Sequence, residues 1–312
     1  MRVKNPVIFL LIVIVLSNTV GCSENDVPIP KFNKDRAFQY LKDQVAFGPR
    51  VPGSESSAKC RDYLYKHFQN ESFTIDSQSF IFFDPYSQTN IPMTNVIAAY
   101  KADTDEPGIV LMAHYDSRPR TDFASDPSLK DMPIDGANDG ASGAALLMEV
   151  GNLIAEQKPN VSIDIVFVDG EDWGKSGDTQ YYLLGSREFA RRGIRGKYKF
   201  GIVVDMVADK DLTIYKERYS EQSAKGLNDA IFNLAKKYQF TGFIDTLKYA
   251  VQDDHLSLIA GGVPAVNLID MDYKYWHTEF DTVDKCSDES LYQVGTIVTE
   301  ILYNRSLWQK IK

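Results

Sequence analysis

The sequence predicts an α/β fold, a mainly parallel β-sheet covered by helices on both faces. Short runs rich in Val and Ile recur without strict apolar–polar alternation, as strands buried on both faces do. Amphipathic stretches at helical spacing lie between them. Several apolar runs also end in Asp, Glu or His, and ligands of such sheets bind outside the carboxyl ends of the strands.

Taken in order, Asp35 to Gln69 has helical periodicity on both sides of a turn-rich segment, Phe47-Gly48-Pro49-Arg50-Val51-Pro52-Gly53-Ser54. Strands are predicted at Val96–Tyr100, Gly108–Ala113, Ile163–Val168, Gly201–Ala208 and Ala265–Ile269. Helices are predicted at Ala141–Ala155, at Ala224–Tyr238 and, closing the domain, at Ser290–Ile301. In the second of these, Leu227, Ala230, Ile231, Leu234, Ala235 and Tyr238 share one face. No internal repeat or Gly/Ser/Pro-rich linker divides the chain after Lys31, so residues 31–312 read as one catalytic domain.

The 312 residues are 44% hydrophobic, 12% aromatic and 25% charged, which supplies a core and excludes a fibrous, low-complexity or disordered chain. Lys and Arg number 34 against 43 Asp and Glu, a net charge of −9 with no basic cluster, which excludes a nucleic-acid partner. Arg2 and Lys4 precede an apolar run, Val7–Leu16, too short to span a membrane and suited to a secretory signal. Gly21 before Cys22 resembles a lipoprotein signal, although Thr19 stands where that pattern carries an aliphatic residue. Residues 1–21 are therefore expected to be a signal peptide and residues 22–30 a tether. Cys22 would carry the lipid and be the chain's one membrane attachment, on an exported, periplasmic or cell-envelope protein. Removing residues 1–21 removes two positive charges from −9 and no acid, leaving −11. Of the remaining cysteines, Cys60 and Cys286, two buried thiols are favoured over a disulfide, since sequence separation says nothing about distance.

Function concentrates at the ends of the apolar runs. Gly108–Ala113 leads into His114-Tyr115-Asp116, Ile163–Val168 into Asp169-Gly170-Glu171-Asp172-Trp173, and Gly201–Val204 into Asp205. Asn138-Asp139-Gly140-Ala141-Ser142-Gly143 opens a helix with another carboxylate. One Asp at such a place can be a helix cap. Four sites and a histidine on one edge repel one another unless a cation joins them. Asp253-Asp254-His255 and Trp276-His277-Thr278 add ligands, whereas His67 lies within an amphipathic helix and reads as packing. Imidazoles and carboxylates without thiolates suit a catalytic zinc with an open position.

In this order, His114-Tyr115-Asp116-Ser117, Asn138–Gly143, Asp169–Asp172, Gly185-Ser186-Arg187, Asp205 and Trp276-His277-Thr278 resemble the zinc-dependent aminopeptidases over nearly the whole mature chain. Asp253-Asp254-His255, the tryptophan before His277 and the Phe47–Ser54 segment are most similar to the glutaminyl cyclases of animal and bacterial type within that group. The resemblance implies a three-layer α/β/α sandwich around a mixed, mainly parallel sheet. It implies one zinc ion held by Asp139, Asp172 and His277, with Glu171 as acid/base and Asp205 on the substrate α-amino group. Asp253 would hydrogen-bond near Glu171, and Trp276 would wall the glutamine pocket, with Trp173 as a second wall. His114, Asp116 and His255 are candidates for a second metal or for supporting the ligands. Asp172 is shorter than the glutamate of many relatives, so its reach must come from the backbone. Asn267 replaces a histidine of the animal enzymes, so a network built on that histidine is absent or rearranged. The implied activity is conversion of N-terminal Gln of peptides or proteins, or Glu, to pyroglutamate. One rival reading is an aminopeptidase with one or two zinc ions, His114 and Asp205 holding the second. The other is a binding protein without activity, which would be expected to lose the acid/base or a ligand.

Overall fold

The computed structural model describes residues 27–310. The expected signal, the Cys22 lipid site and most of the tether lie outside the described residues. The chain opens with helices α1 (Lys34–Val45) and α2 (Glu55–Phe68), capped by Asn33 and Ser54 side chains that accept from Arg36 and Ser57 N–H. Strands β1 (Thr74–Asp84) and β2 (Thr89–Tyr100) form a hairpin. Then follow β3 (Gly108–His114), α3 (Ala141–Glu156), β4 (Ile163–Val168), α4 (Leu184–Ala190) and β5 (Tyr198–Asp205). The rest comprises β6 (Ile214–Glu217), α5 (Arg218–Ser223), α6 (Lys225–Tyr238), β7 (Phe243–Tyr249), α7 (His255–Ala260), β8 (Ala265–Ile269) and α8 (Asp288–Tyr303).

Six strands form a mixed sheet in the order β1-β2-β4-β3-β5-β8. The pairs β4/β3, β3/β5 and β5/β8 are parallel, and the β1–β2 hairpin joins β4 antiparallel. Alternate residues of β3 show why its sequence carries no polar–apolar alternation. Ile109, Leu111 and Ala113 face a core shared with α1, α2, α3, α6 and α8. Val110 and Met112 face a second core with Phe189 of α4 and Leu258 of α7. This is the expected three-layer sandwich.

The five predicted strands and all the predicted helices are present, with α2 ending at Phe68 and β5 at Asp205 rather than Ala208. Sequence reading missed β1, β6 and β7, and the short helices α4, α5 and α7. Strand β1 is an edge strand with polar residues on an open face, and β7 is largely exposed. Helices of six or seven residues are too short to display a period. Cys60 and Cys286 are buried free thiols, as favoured. Among the described residues no helix is long and apolar enough to cross a membrane.

Candidate active site

The parallel centre of the sheet delivers the acids to one edge. His114 ends β3, Asp205 ends β5, and Glu171 and Asp172 follow β4. Asp139 precedes α3 through Gly140, whose φ of +108° favours glycine and whose missing Cβ would meet His114 Cε1 at 2.7 Å. Gly143 lets α3 approach β5, since a Cβ there would lie 2.2 Å from Val204 O. The Asn-Asp-Gly-Ala-Ser-Gly motif is thus a close approach of backbone that sets Asp139 beside His114.

Two groups of potential metal ligands result, His114–Asp139–Asp205 and Asp139–Asp172–His277, the ligand atoms of each lying within 4.8 Å of one another. His114 Nε2 is 3.2 Å from Asp139 Oδ1 and 3.1 Å from Asp205 Oδ1. His277 Nε2 is 3.3 Å from Asp172 Oδ1 and 3.7 Å from Asp139 Oδ2. Asp139 Oδ2 and Asp172 Oδ2 are buried without a hydrogen-bond partner. Buried acceptors without donors are costly, and a cation satisfies them. Two aspartates and a histidine, free of thiolate, fit zinc.

Asp116 supports rather than joins these groups. Its carboxylate accepts N–H from Glu171 at 3.2 Å and Asp172 at 3.3 Å, fixing the turn that carries both. That turn supplies the reach that the short Asp172 side chain lacks. Asp281, not singled out in the sequence, does the same for Asp139: it accepts Asn138 N–H at 2.8 Å and Asp139 N–H at 3.1 Å. Burial, with Asp139 nearby, pushes its carboxyl up to about 7. Its spacing of four residues after His277 was the available signal.

A cavity of about 240 Å³ opens on this edge, lined by Asp139, Glu171, Asp172, Asp205, Asp253, Trp276 and His277, with Tyr182 and Tyr249 among the walls. Burial and then the Asp172 charge raise the Glu171 carboxyl well above its usual range, which suits proton exchange. Burial opposes ionisation of Asp172, but His277 and Arg118 reverse this and hold it low. His277 is pushed up to about 9, burial being outweighed by Asp172 and Asp122. Asp253 Oδ2 accepts from Asn267 Nδ2 at 2.6 Å, so the network is rearranged around the carboxamide rather than lost.

One expectation is corrected and one narrowed. Trp173 does not line the cavity: its indole N–H turns to Asp84 Oδ1, at 3.0 Å, and its ring packs near Phe82. The reason is a buried N–H that needs an acceptor, which the β1–β2 hairpin supplies. His255 belongs to neither ligand group; it is fully buried with Nε2 3.3 Å from Glu217 Oε2. His67 is packing, as read, with Nε2 2.9 Å from Met148 O.

Sequence reading also missed Arg118 and Asp122. Arg118 is fully buried and binds Asp172 Oδ1, and Asp122 Oδ2 stands 3.4 Å from His277 Nδ1. The position of Arg118 directly after His114-Tyr115-Asp116-Ser117 was the one hint.

Solved and curated proteins are similar to this chain in fold and sequence. The glutaminyl cyclase of Bacteroides thetaiotaomicron is 33% identical, with a TM-score of 0.84 over 89% of this chain and 99% of that one. Bovine glutaminyl-peptide cyclotransferase is 23% identical over 286 residues, 80% of this chain and 76% of its own length. A "Probable zinc metalloprotease" of Leptosphaeria maculans is 26% identical over 182 residues; this chain spans 40% of its length. Residues 95–302, which hold every strand-end acid described above, match the profile of Peptidase family M28, and the chain belongs to that family.

Proposed function

We propose that the protein is a zinc-dependent glutaminyl-peptide cyclotransferase, converting N-terminal Gln of peptides or proteins to pyroglutamate with release of ammonia. The observation that carries this is the small cavity in which Glu171, Asp205 and Asp253 line one space together with Trp276. Similarity to proteins named glutaminyl cyclases supports it.

In the reaction the α-amine nitrogen bonds to the side-chain amide carbon and the bond to the amide nitrogen breaks. A proton passes from the amine to that leaving nitrogen, which departs as ammonia. Asp205 holds the amino group and Asp253 hydrogen-bonds near Glu171, so that amine and amide are oriented in the near-attack shape that a closed pocket favours. Glu171 accepts the amine proton and returns it to the leaving nitrogen, work typically worth ~10²–10⁴-fold. Trp276 excludes water, which would hydrolyse instead. Bound by Asp139, Asp172 and His277, one zinc ion would supply Lewis-acid polarisation of the γ-carbonyl.

The second reading is an aminopeptidase, favoured by the intact His114–Asp139–Asp205 group, which could take a second ion. Mass spectrometry of a Gln-initiated peptide separates the two. Loss of one ammonia with the peptide bond intact, abolished by Glu171→Gln, supports the cyclase; release of free N-terminal residues supports the peptidase. We also infer export and lipid attachment at Cys22, from the Arg2/Lys4, Val7–Leu16 and Gly21-Cys22 pattern. In that location the substrates would be periplasmic or cell-envelope polypeptides with N-terminal Gln or Glu. Cys22→Ala should then abolish incorporation of labelled fatty acid and release the protein from membranes.

A further inference from the structure

The segment from Arg118 to Phe123 touches both ligands that are specific to the Asp139–Asp172–His277 group. Arg118 spends its donors inward: Nη1 on the Asp172 carboxylate and on Asp172 O at 3.1 Å, and Nη2 on Gly174 O at 2.8 Å and Tyr182 Oη at 3.0 Å. Its Nε donates to Asp122 Oδ2. That same oxygen faces His277 Nδ1 at 3.4 Å. One residue further, Phe123 N–H donates to His277 O at 3.1 Å, and the phenyl ring lies nearly parallel to the imidazole, at 18° and 6.2 Å. His277 needs holding, because its φ of +56° is a backbone conformation that a residue with a Cβ rarely adopts.

We propose that Asp122 and Arg118 are the positioning pair of the metal site, Asp122 orienting His277 and Arg118 orienting Asp172. Asp122 accepts a hydrogen bond from His277 Nδ1–H, which fixes the neutral tautomer whose Nε2 is the free acceptor turned toward Asp139 and Asp172. Arg118 occupies Asp172 Oδ1 and leaves Oδ2, which has no other partner, for the ion. A carboxylate behind a ligating imidazole raises its donor strength as well as fixing its direction. The inference rests on the zinc assignment above and is indifferent to which reaction the site performs.

The test uses the full chain and zinc alone, measured by competition with a chromophoric chelator. Asp122 is the residue to change, since its side chain keeps 16% of its surface exposed while that of Arg118 is sealed in. Asp122→Ala should weaken zinc binding about 10–100-fold, and Asp122→Glu should recover most of that loss. Asp126→Ala, an exposed acid four residues on, should leave affinity unchanged. Cobalt substituted for zinc gives a second readout: Asp122→Ala should alter the visible absorption band, which reports ligand geometry and which a merely structural residue would not move. Asp122→Asn, which keeps an acceptor oxygen, covers the case in which the alanine variant fails to fold, and should bind between the two. Parent-like affinity and an unchanged cobalt spectrum in folded Asp122→Ala would overturn the proposal alone. A parent protein that binds no zinc would overturn the zinc assignment together with it.

Discussion

His277 and His255 each bring Nε2 to 3.3 Å from a carboxylate oxygen, of Asp172 in the first case and of Glu217 in the second. Both histidines are buried, His255 directly after Asp254 and His277 two residues before Glu279. The difference is in the carboxylate. Glu217 accepts from Tyr219 N–H, Ser220 N–H, Ser220 Oγ–H and Val251 N–H, at 2.7–3.0 Å, and no lone pair is left to face a cavity. Asp172 keeps Oδ2 without a partner, as Asp139 does. A saturated carboxylate is a brace, tying the end of β6 to the segment that leads into Asp253. An unsaturated one that lines the cavity together with a second such acid and a histidine, their ligand atoms within 4.8 Å of one another, is a place for a cation. The tryptophans divide in the same way: Trp276 stands over His277 with ring centroids 4.0 Å apart, while Trp173 has its N–H satisfied on the hairpin.

That contrast can be broken by removing each partner in turn. His277→Ala should abolish stoichiometric zinc binding in metal analysis, whereas His255→Ala should leave the metal content of any folded protein unchanged. Glu171→Gln should lower kcat by ~10²–10⁴-fold with zinc still bound, because it removes proton transfer and no ligand. Zinc affinity should tighten as pH rises toward about 9. The reason is that His277 holds its proton to about pH 9 without metal and must release it to bind. Below that value the affinity should change about tenfold per pH unit for each proton released, a slope that titrations at several pH values would measure.

On the other side of the comparison, Glu217→Gln should reduce stability by about 1–3 kcal/mol without affecting zinc. Despite burial, His255 beside it and the hydrogen bonds from the backbone N–H groups draw the Glu217 carboxyl from 4.5 down to about 2. A depressed folded value stabilises above the unfolded value. The contribution is therefore whole above about pH 4.5 and disappears as pH falls toward 2. Acid unfolding of the Gln variant should lack that limb. Smallest of all, Trp173→Phe should cost about 1 kcal/mol of stability for the lost Asp84 bond and leave KM unmoved, whereas Trp276→Ala should raise KM.

By itself the sequence determined the parallel centre of the sheet and the convergence of His114, Asp139, Glu171, Asp172 and Asp205 on its carboxyl edge. Both are local properties: a buried strand must be continuously apolar, and a polar residue at its end must lie at the edge of the sheet. Tertiary structure alone decided which histidine faces an unsatisfied carboxylate, which tryptophan walls the cavity, and that Arg118, Asp122 and Asp281 stand behind the ligands. Arg118 meets Asp172 across 54 positions and Asp281 meets Asn138 across 143. The direction of each side chain there follows from backbone turns and from the partners that distant segments bring. No periodicity along the chain encodes those partners.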